Sequence, residues 1–471
     1  MNLVWQRFTL SYLPLKQYLT TSYLHRFLVG LLSSWRQGSV LIQWGDTIAA
    51  GLLSVVYALA PFVSSTLIGL LLTACVGFWL LLTLSDEAAP RIPSVTPIHL
   101  LVLLYWAVAA VATALSPVKK VAFNDLTTLT LYLLLFALCA RVLRSPKLRS
   151  WMIVLYLHVS LIVSIYGMRQ WFFGAPPLAT WVDQESAFSK TTRVYSYLGN
   201  PNLLAGYLLP AVVFSLVAVF VWQGWIKKAL ALTMFFVNTA CLILTFSRGG
   251  WIGLVVAFLT VMALLVYWWS IEMPRFWRTW SLPIILGGLI GVLLLAVIFV
   301  EPVRLRVVSI FADRKDSSNN FRRNVWDAVF EMIRDRPIIG IGPGHGSFNK
   351  IYPLYQHPRY TALSAYSVLL EVTVETGYVG LAAFLWLLIV TFNTAFLQMQ
   401  RLRKLRSADG FWLIGAIATM AGMLAHGTVD TVFYRPEVNS VWWLVVGLIA
   451  SYYTYTPQDQ SQEVNSPFPA P

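Results

Sequence analysis

Charge is scarce in this sequence: Asp, Glu, Lys and Arg make up only 11% of 471 residues, less than half of what a soluble domain usually carries. Acidic residues are the scarcer kind, 20 against 34 Lys and Arg, which leaves a formal net charge of +14. The three cysteines, Cys75, Cys139 and Cys241, each lie inside an apolar run and lack metal-type spacing. That excludes a disulfide framework and a cysteine metal centre, and the three read as packing residues. No GxSxG, HExxH or paired-carboxylate signature occurs, so the usual hydrolase and metalloprotease chemistries have no anchor. No repeat of 20 to 50 residues and no pair of interrupted helices announces a solenoid or an inverted-repeat transporter.

What fills the space is hydrophobic sequence, 58% of residues, with a mean hydropathy of +0.68. A membrane helix needs about twenty mostly apolar residues to cross a hydrocarbon core about 30 Å thick. Stretches near 47–64, 66–84, 97–115, 124–142, 150–172, 203–222, 229–246, 250–269, 281–300, 378–397, 411–431 and 439–455 qualify. Aromatics at run ends, as in LLVYWWS (264–270) and VWWLVV (441–446), suit an interfacial belt. The expectation is therefore an all-α polytopic membrane protein of about 12 transmembrane helices, with one larger extracytoplasmic cap between helices 9 and 10.

Orientation follows from the tendency of Lys and Arg to stay on the cytoplasmic side. With the N-terminus inside, cytoplasmic segments collect 17 Lys and Arg, including RVLRSPKLR (141–149) and RLRKLR (401–406), and the short outer connections collect far fewer. The same clustering between apolar segments argues against nucleic acid as a partner. Segment 1–46 has basic residues among aromatics and no leader-like cleavage pattern, and reads as a cytoplasmic N-terminal segment suited to the membrane surface. Residues 47–300 hold helices 1–9, 301–377 the extracytoplasmic cap loop, 378–455 helices 10–12, and 456–471 a cytoplasmic tail. The protein is expected in the plasma (inner) membrane with both termini cytoplasmic. In the cap, Phe321, Val325, Val329 and Ile333 recur every fourth residue until Pro337, which predicts one amphipathic helix over 320–336, N-capped from DSSNN (316–320).

This topology brings four separated motifs to one membrane face. RVYSYLGNPN (193–202) carries Arg193, Asn200 and Asn202; FSRGG (246–250) carries Arg248 and Gly249; the cap carries Arg322, Arg323 and GIGPGHGSF (340–348); HGTVDTVFYRPE (426–437) carries His426 and Asp430. Arg248 sits between two uncharged runs, where it is either an interfacial anchor or an anion ligand, and Gly249 behind it permits close approach of a ligand or a backbone. Arg322 falls in the first turn of the predicted cap helix, where the dipole favours an anion, unless it is a solvated surface arginine. The alternate glycines 340, 342, 344 and 346 suit a backbone nest for an anion or a tight connection. They form neither a P-loop nor a dinucleotide fingerprint. His426 and Asp430, four apart, would share a helix face and hydrogen-bond. They lack a third ligand, so no metal is expected, and nothing calls for a cofactor. His158 is the main ionisable group at mid-membrane, either a packing residue or a station on an ion path. Arginine's planar fork suits phosphate, so the face as a whole points to an anionic group at the outer interface.

The motifs RVYSYLGNPNLLAGYL (193–208), LTFSRGGWIGL (244–254), SSNNFRRNVWDAVFEMIRDRPIIGIGPGHGSFN (317–349), ALSAYSVLLEVTVETGYVGL (362–381) and HGTVDTVFYRPE (426–437) resemble the O-antigen ligase and polymerase superfamily. The resemblance is closest to its cyanobacterial inorganic carbon transporter B (IctB) branch. It implies one of two activities. Superfamily ligases are metal-independent inverting glycosyltransferases that use an undecaprenyl-diphosphate-linked glycan on the periplasmic side, whereas the IctB branch is associated with bicarbonate accumulation. By position, Arg248 looks like the diphosphate-contacting arginine of the SRG motif, and Arg322, four residues before Trp326, like the second. Ligases place a His-Asn pair eleven residues before the glycine of an ETG-like motif, and here that position holds Tyr366-Ser367. A histidine near pKa 6.5 accepts a proton at neutral pH, while a tyrosine near 10 is about one part in a thousand ionised. Ligase catalysis would then need His345, His357 or Glu371 in that role, with Tyr366 itself the remaining candidate. The implied partners are membrane lipid, bicarbonate or the lipid-linked glycan, and other members of a membrane complex.

Overall fold

A computed structural model describes residues 3–23, 27, 29–86, 95–176, 193–311 and 317–454. The expected tail, 456–471, lies outside them. All regular structure among the described residues is helical, as lipid requires of an apolar chain that must satisfy its own backbone. The bundle comprises α1 (Gly45–Leu59), α2 (Ser65–Ser85), α3 (Pro97–Ala114), α4 (Lys119–Val142), α5 (Pro146–Phe173), α6 (Pro201–Val221), α7 (Trp225–Leu244), α8 (Arg248–Trp269) and α9 (Arg275–Phe299). Three further helices follow, α10 (Glu301–Phe311), α11 (Ser317–Asp335) and α12 (His345–Ile351), before α13 (Val368–Lys404), α14 (Gly410–Gly427) and α15 (Pro436–Ser451) return to the bundle. Each of the twelve expected spans falls on one helix. Ten helices are long and apolar enough to cross a membrane; the first and last expected spans correspond to shorter helices of 15 and 16 residues.

Helix starts follow local chemistry. Proline opens α3, α5, α6 and α15 at a position whose N–H is unsatisfied anyway, and Ser64, Thr96, Asn200 and Ser247 cap α2, α3, α6 and α8 with side-chain oxygens. Small residues let the helices approach. A Cβ on Gly253 would lie 2.6 Å from the Gly422 carbonyl, and one on Gly250 2.5 Å from the Ala205 Cβ, so α8 presses against both α14 and α6. In consequence 78% of the apolar window of α6 is buried, whereas none of that of α9 is. The first of these is the bundle's centre and the second its margin.

The two ends of the bundle differ. At one, where RVLRSPKLR and RLRKLR lie, arginines are paired with carboxylates: Arg141 with Asp46 at 2.7 Å and with Asp86, Arg36 with Asp86, and Arg149 with Asp409 at 2.8 Å beneath the Tyr452 ring. The N-terminal segment is not a detached surface helix. Its helix Leu3–Phe8 lies along α13, where the Trp5 Nε1 donates to Asn393 at 3.1 Å and the Trp386 Nε1 to the Phe8 carbonyl at 2.7 Å. Indole N–H groups and amides facing lipid need such partners.

The other end carries α11 and α12. The expected amphipathic helix forms as α11, and Val325, Val329 and Ile333 are buried in a small core with Phe348 and Tyr352 of the following segment. Of the expected capping stretch 316–320, residues 317–320 lie within α11 and Asp316 lies outside the described residues. This layer is spliced into α13 at Gly377, whose backbone (φ +69°, ψ −174°) interrupts the helix. The break frees two carbonyls and two N–H groups. Segment 337–342 takes all four: Ile341 and Gly342 donate to the Val374 and Glu375 carbonyls at 3.0 and 2.9 Å, and Tyr378 and Val379 donate to Pro337 and Ile338 at 2.7 and 3.4 Å. A Cβ on Gly377 would overlap the Ile338 carbonyl. Gly377→Ala is therefore expected to lose about 2–5 kcal/mol, combining left-handed strain with overpacking, while Gly287→Ala on α9, where nothing lies within 4 Å, should leave stability unchanged. Thermal unfolding in detergent measures both, and equal behaviour of the two variants would contradict the splice.

Candidate functional site

The four motifs meet at the spliced end. Arg193 precedes α6; its Nε donates to the Thr245 carbonyl at 2.9 Å and its Nη2 to the Asn202 Oδ1 at 3.1 Å, while Asn200 caps α6 by accepting the Asn202 N–H at 2.8 Å. The GNPN motif thus builds a helix start that aims one arginine. Arg248 is the first residue of α8 and is buried, 7% exposed. A cation at a helix N-terminus opposes the dipole, so helix stability does not account for it. Arg322 projects from α11; its Nη1 donates to the Ser318 hydroxyl at 3.0 Å and its Nη2 lies 3.8 Å from the Asp430 Oδ2. Burial, then the fields of Arg322 and Arg248, lower the proton affinity of Arg193 to about 10, with Asp430 opposing them. Arg322 and Arg248 therefore both stand within electrostatic reach of Arg193.

Several expectations change. Arg322 lies in the second turn of α11, which starts at Ser317, so the free N–H groups of that helix are not beside it. Arg323 is exposed, turned away from Arg322 by the helical rotation. Gly249 does make room, but for the His426 ring: a Cβ there would lie 2.6 Å from the His426 Cδ2. The His426–Asp430 hydrogen bond does not form, because α14 ends at Gly427 and Asp430 leaves the helical register. Both His426 ring nitrogens are buried without a hydrogen-bond partner, and Asp430 turns to Arg322. His158 lies exposed on the bundle flank with its Nδ1 2.7 Å from the Val154 carbonyl, not on an interior path.

The glycine run is a packing device. Cβ atoms at Gly342, Gly344 and Gly346 would strike Ser116 or Asp125, and the Asp125 carboxylate accepts the Ser347 N–H at 2.8 Å and the Ser347 hydroxyl at 3.3 Å. The nest expected for an external anion is filled by a carboxylate of α4. Asp125 carries no signal in the sequence that connects it to residues 340–348.

Tyr366 is held in the left-handed region at φ +49°. Its neighbour is fixed on both sides: the Trp326 Nε1 donates to the Ala365 carbonyl at 2.9 Å, and the Ala365 N–H donates to the buried Glu371 carboxylate. The Phe321 ring meets Tyr366 edge-on at 5.4 Å. Burial first, then Asp430 and Tyr434, push the Tyr366 hydroxyl above its ordinary range; it is neutral at pH 7 and is no base there. Glu371 thus serves the loop that presents Tyr366. His345 opens α12, with its Nε2 3.0 Å from the Asn349 Nδ2 and its ring stacked on Tyr434 at 5.8 Å. Tyr434 and Asn349 were not singled out by sequence, although Tyr434 lies in the HGTVDTVFYRPE motif and a His four residues before an Asn is a readable helical pair. His357 is exposed. Among the described residues no group of three His, Cys, Asp or Glu could hold a metal.

A polytopic helical membrane protein with a guanidinium-lined site at one end of the bundle is thus defined. Residues 230–385 match the family model Wzy_C, O-antigen ligase. The match spans about a third of the chain and contains Arg248, Arg322, His345, Tyr366 and Glu371; Arg193, Asn200, Asn202, His426 and Asp430 lie outside it. No curated protein matches the chain.

The Arg322–Asp430 pair should be measurably coupled. In a double-mutant cycle of Arg322→Ala and Asp430→Asn, the double variant should lose about 0.5–3 kcal/mol less than the sum of the single losses, read by thermal unfolding in detergent. Strict additivity would mean that the 3.8 Å approach carries no energy.

Proposed function

We propose that the protein binds a lipid-diphosphate-linked oligosaccharide at the extracytoplasmic face of the plasma (inner) membrane and acts as an O-antigen-ligase-like transferase. The observation that carries this reading is the convergence of Arg193, Arg248 and Arg322 about Asp430 at one end of an apolar bundle. Like charges repel strongly in such surroundings, and a diphosphate relieves the repulsion while its isoprenoid tail stays in lipid. Guanidinium forks match phosphate oxygens in pairs. The family match over residues 230–385 supports the same class. Both termini are then cytoplasmic, and α11 and α12 belong to the extracytoplasmic cap. A relative that binds such a lipid without transferring its glycan, as part of a membrane complex, shares the same site.

The bicarbonate reading rests on resemblance to the IctB branch alone. Neither the fold nor the family match bears on it specifically, and His158, the one mid-membrane group it could have used, faces outward. Sustained bicarbonate flux from liposomes containing only this chain would nevertheless establish it.

For the diphosphate reading, the full chain in nanodiscs is titrated with an undecaprenyl-diphosphate-linked oligosaccharide. Arg248→Ala and Arg322→Ala should each weaken binding by about 10- to 100-fold, since hydrogen bonds to charged groups contribute about 1.5–3 kcal/mol. Affinities equal to that of the unaltered chain would sink the reading.

A further inference from the structure

We propose that His345 is the general base of the transfer reaction, in place of the residue at position 366; this rests on the diphosphate-donor reading above. The Nδ1 of His345 is buried and has no hydrogen-bond partner among the described residues. An imidazole nitrogen left unsatisfied in a polar site calls for a donor or acceptor that arrives with a ligand. The other nitrogen, Nε2, lies 3.0 Å from the Asn349 side-chain amide, one helical turn on.

That pair admits two arrangements, because amide oxygen and nitrogen are nearly interchangeable in shape. If the amide nitrogen donates to Nε2, Nδ1 carries the proton. If the Asn349 Oδ1 accepts from Nε2–H, Nδ1 presents a lone pair. The second is the base-competent form, with Asn349 fixing the tautomer. The ring cannot drift, since it stacks on Tyr434 at 5.8 Å with an interplanar angle of 26°, and its helix start is pinned by Asp125 through Ser347.

Every packed element contributes a group that faces this ring. Asp125 on α4 lies in the field of His345 and accepts the Ser347 N–H at 2.8 Å. Tyr434 covers one face and itself feels Arg435, Asp430 and Glu437. Glu375 on α13 accepts the N–H of Gly344, next in sequence. Asn349 is the partner on α12. Tyr434, which stacks on His345, and Tyr366 both stand in the field of Asp430, itself 3.8 Å from Arg322.

In the step, the acceptor's hydroxyl gives its proton to the His345 Nδ1 as its oxygen forms a bond to the anomeric carbon of the donor. The bond from that carbon to the phosphate oxygen breaks, and its electron pair leaves with the lipid diphosphate, whose charge Arg248 and Arg322 hold. No oxidant, metal or further reactant is needed.

The test uses the full chain in nanodiscs with an undecaprenyl-diphosphate-linked oligosaccharide and a hydroxylated sugar acceptor, with release of undecaprenyl diphosphate as the rate and donor titration as the fold check. His345→Gln should keep donor affinity within about twofold and lower the rate about 10²- to 10⁴-fold, the usual range for a lost general base, and the acidic limb of the pH–rate profile should disappear. Asn349→Ala should lower the rate and shift that limb, and His357→Gln should change nothing. Full turnover by His345→Gln with an unaltered pH profile overturns the proposal, as does an unaltered chain that binds donor but never releases diphosphate with any hydroxylated acceptor. Failure of the unaltered chain to bind donor is a different result, and overturns the diphosphate reading itself.

Discussion

Mutual repulsion among Arg193, Arg248 and Arg322 is the constraint around which the site end of this protein is organised. Cations gathered in a low-dielectric place repel one another far more strongly than in water, and the fields of Arg322 and Arg248 add to burial, the larger cause, in depressing the proton affinity of Arg193. At the opposite end of the bundle Arg141 and Arg149 meet carboxylates at hydrogen-bonding distance. Asp430 stays 3.8 Å from Arg322 and makes no hydrogen bond to it. Its Oδ2, the Arg322 Nε and both His426 nitrogens are buried without partners. Such groups are costly to leave unmade.

Holding repelling groups together requires a stiff frame, and the splice at Gly377 supplies it. Because segment 337–342 takes over the backbone partners that the interrupted α13 gives up, the layer carrying Arg322 cannot shift without unmaking bundle hydrogen bonds. Trp326 and Glu371 extend the same connection to the Ala365 peptide. The arginine on α11 and the tyrosine before α13 are thereby fixed to the bundle through α13.

The spans were legible in the sequence because lipid imposes one rule, a run of apolar residues that satisfies its own backbone, and every expected run falls on a helix. The cap helix was legible through its four-residue period. What failed were inferences that needed a helix boundary or a distant partner. The His426–Asp430 pairing assumed that α14 continued past Gly427, although glycine after the last apolar turn is a stop signal. Arg322 was placed in a first turn because α11 was expected three residues late. The glycine run gave composition alone, and composition cannot distinguish an external anion from Asp125, a carboxylate far away in sequence. Convergence of the four motifs was legible only through topology, since alternating spans return every second connection to the same end.

The replacement at position 366 is the point where scaffold and chemistry separate. A phenol raised above its ordinary range by burial and by Asp430 can donate a hydrogen bond to a phosphate or a sugar, but it cannot take a proton at neutral pH. The matched stretch, residues 230–385, contains Arg248 and Arg322 and carries a tyrosine where the resemblance led one to expect a histidine. The remaining members of the site, Arg193 and Asp430, come from segments on either side of that stretch, and their placement depends on α6 and α14 pressing against α8 through Gly250 and Gly253. The site is thus a property of the whole bundle. The cluster of guanidinium groups is assembled by packing among helices, not by any one motif.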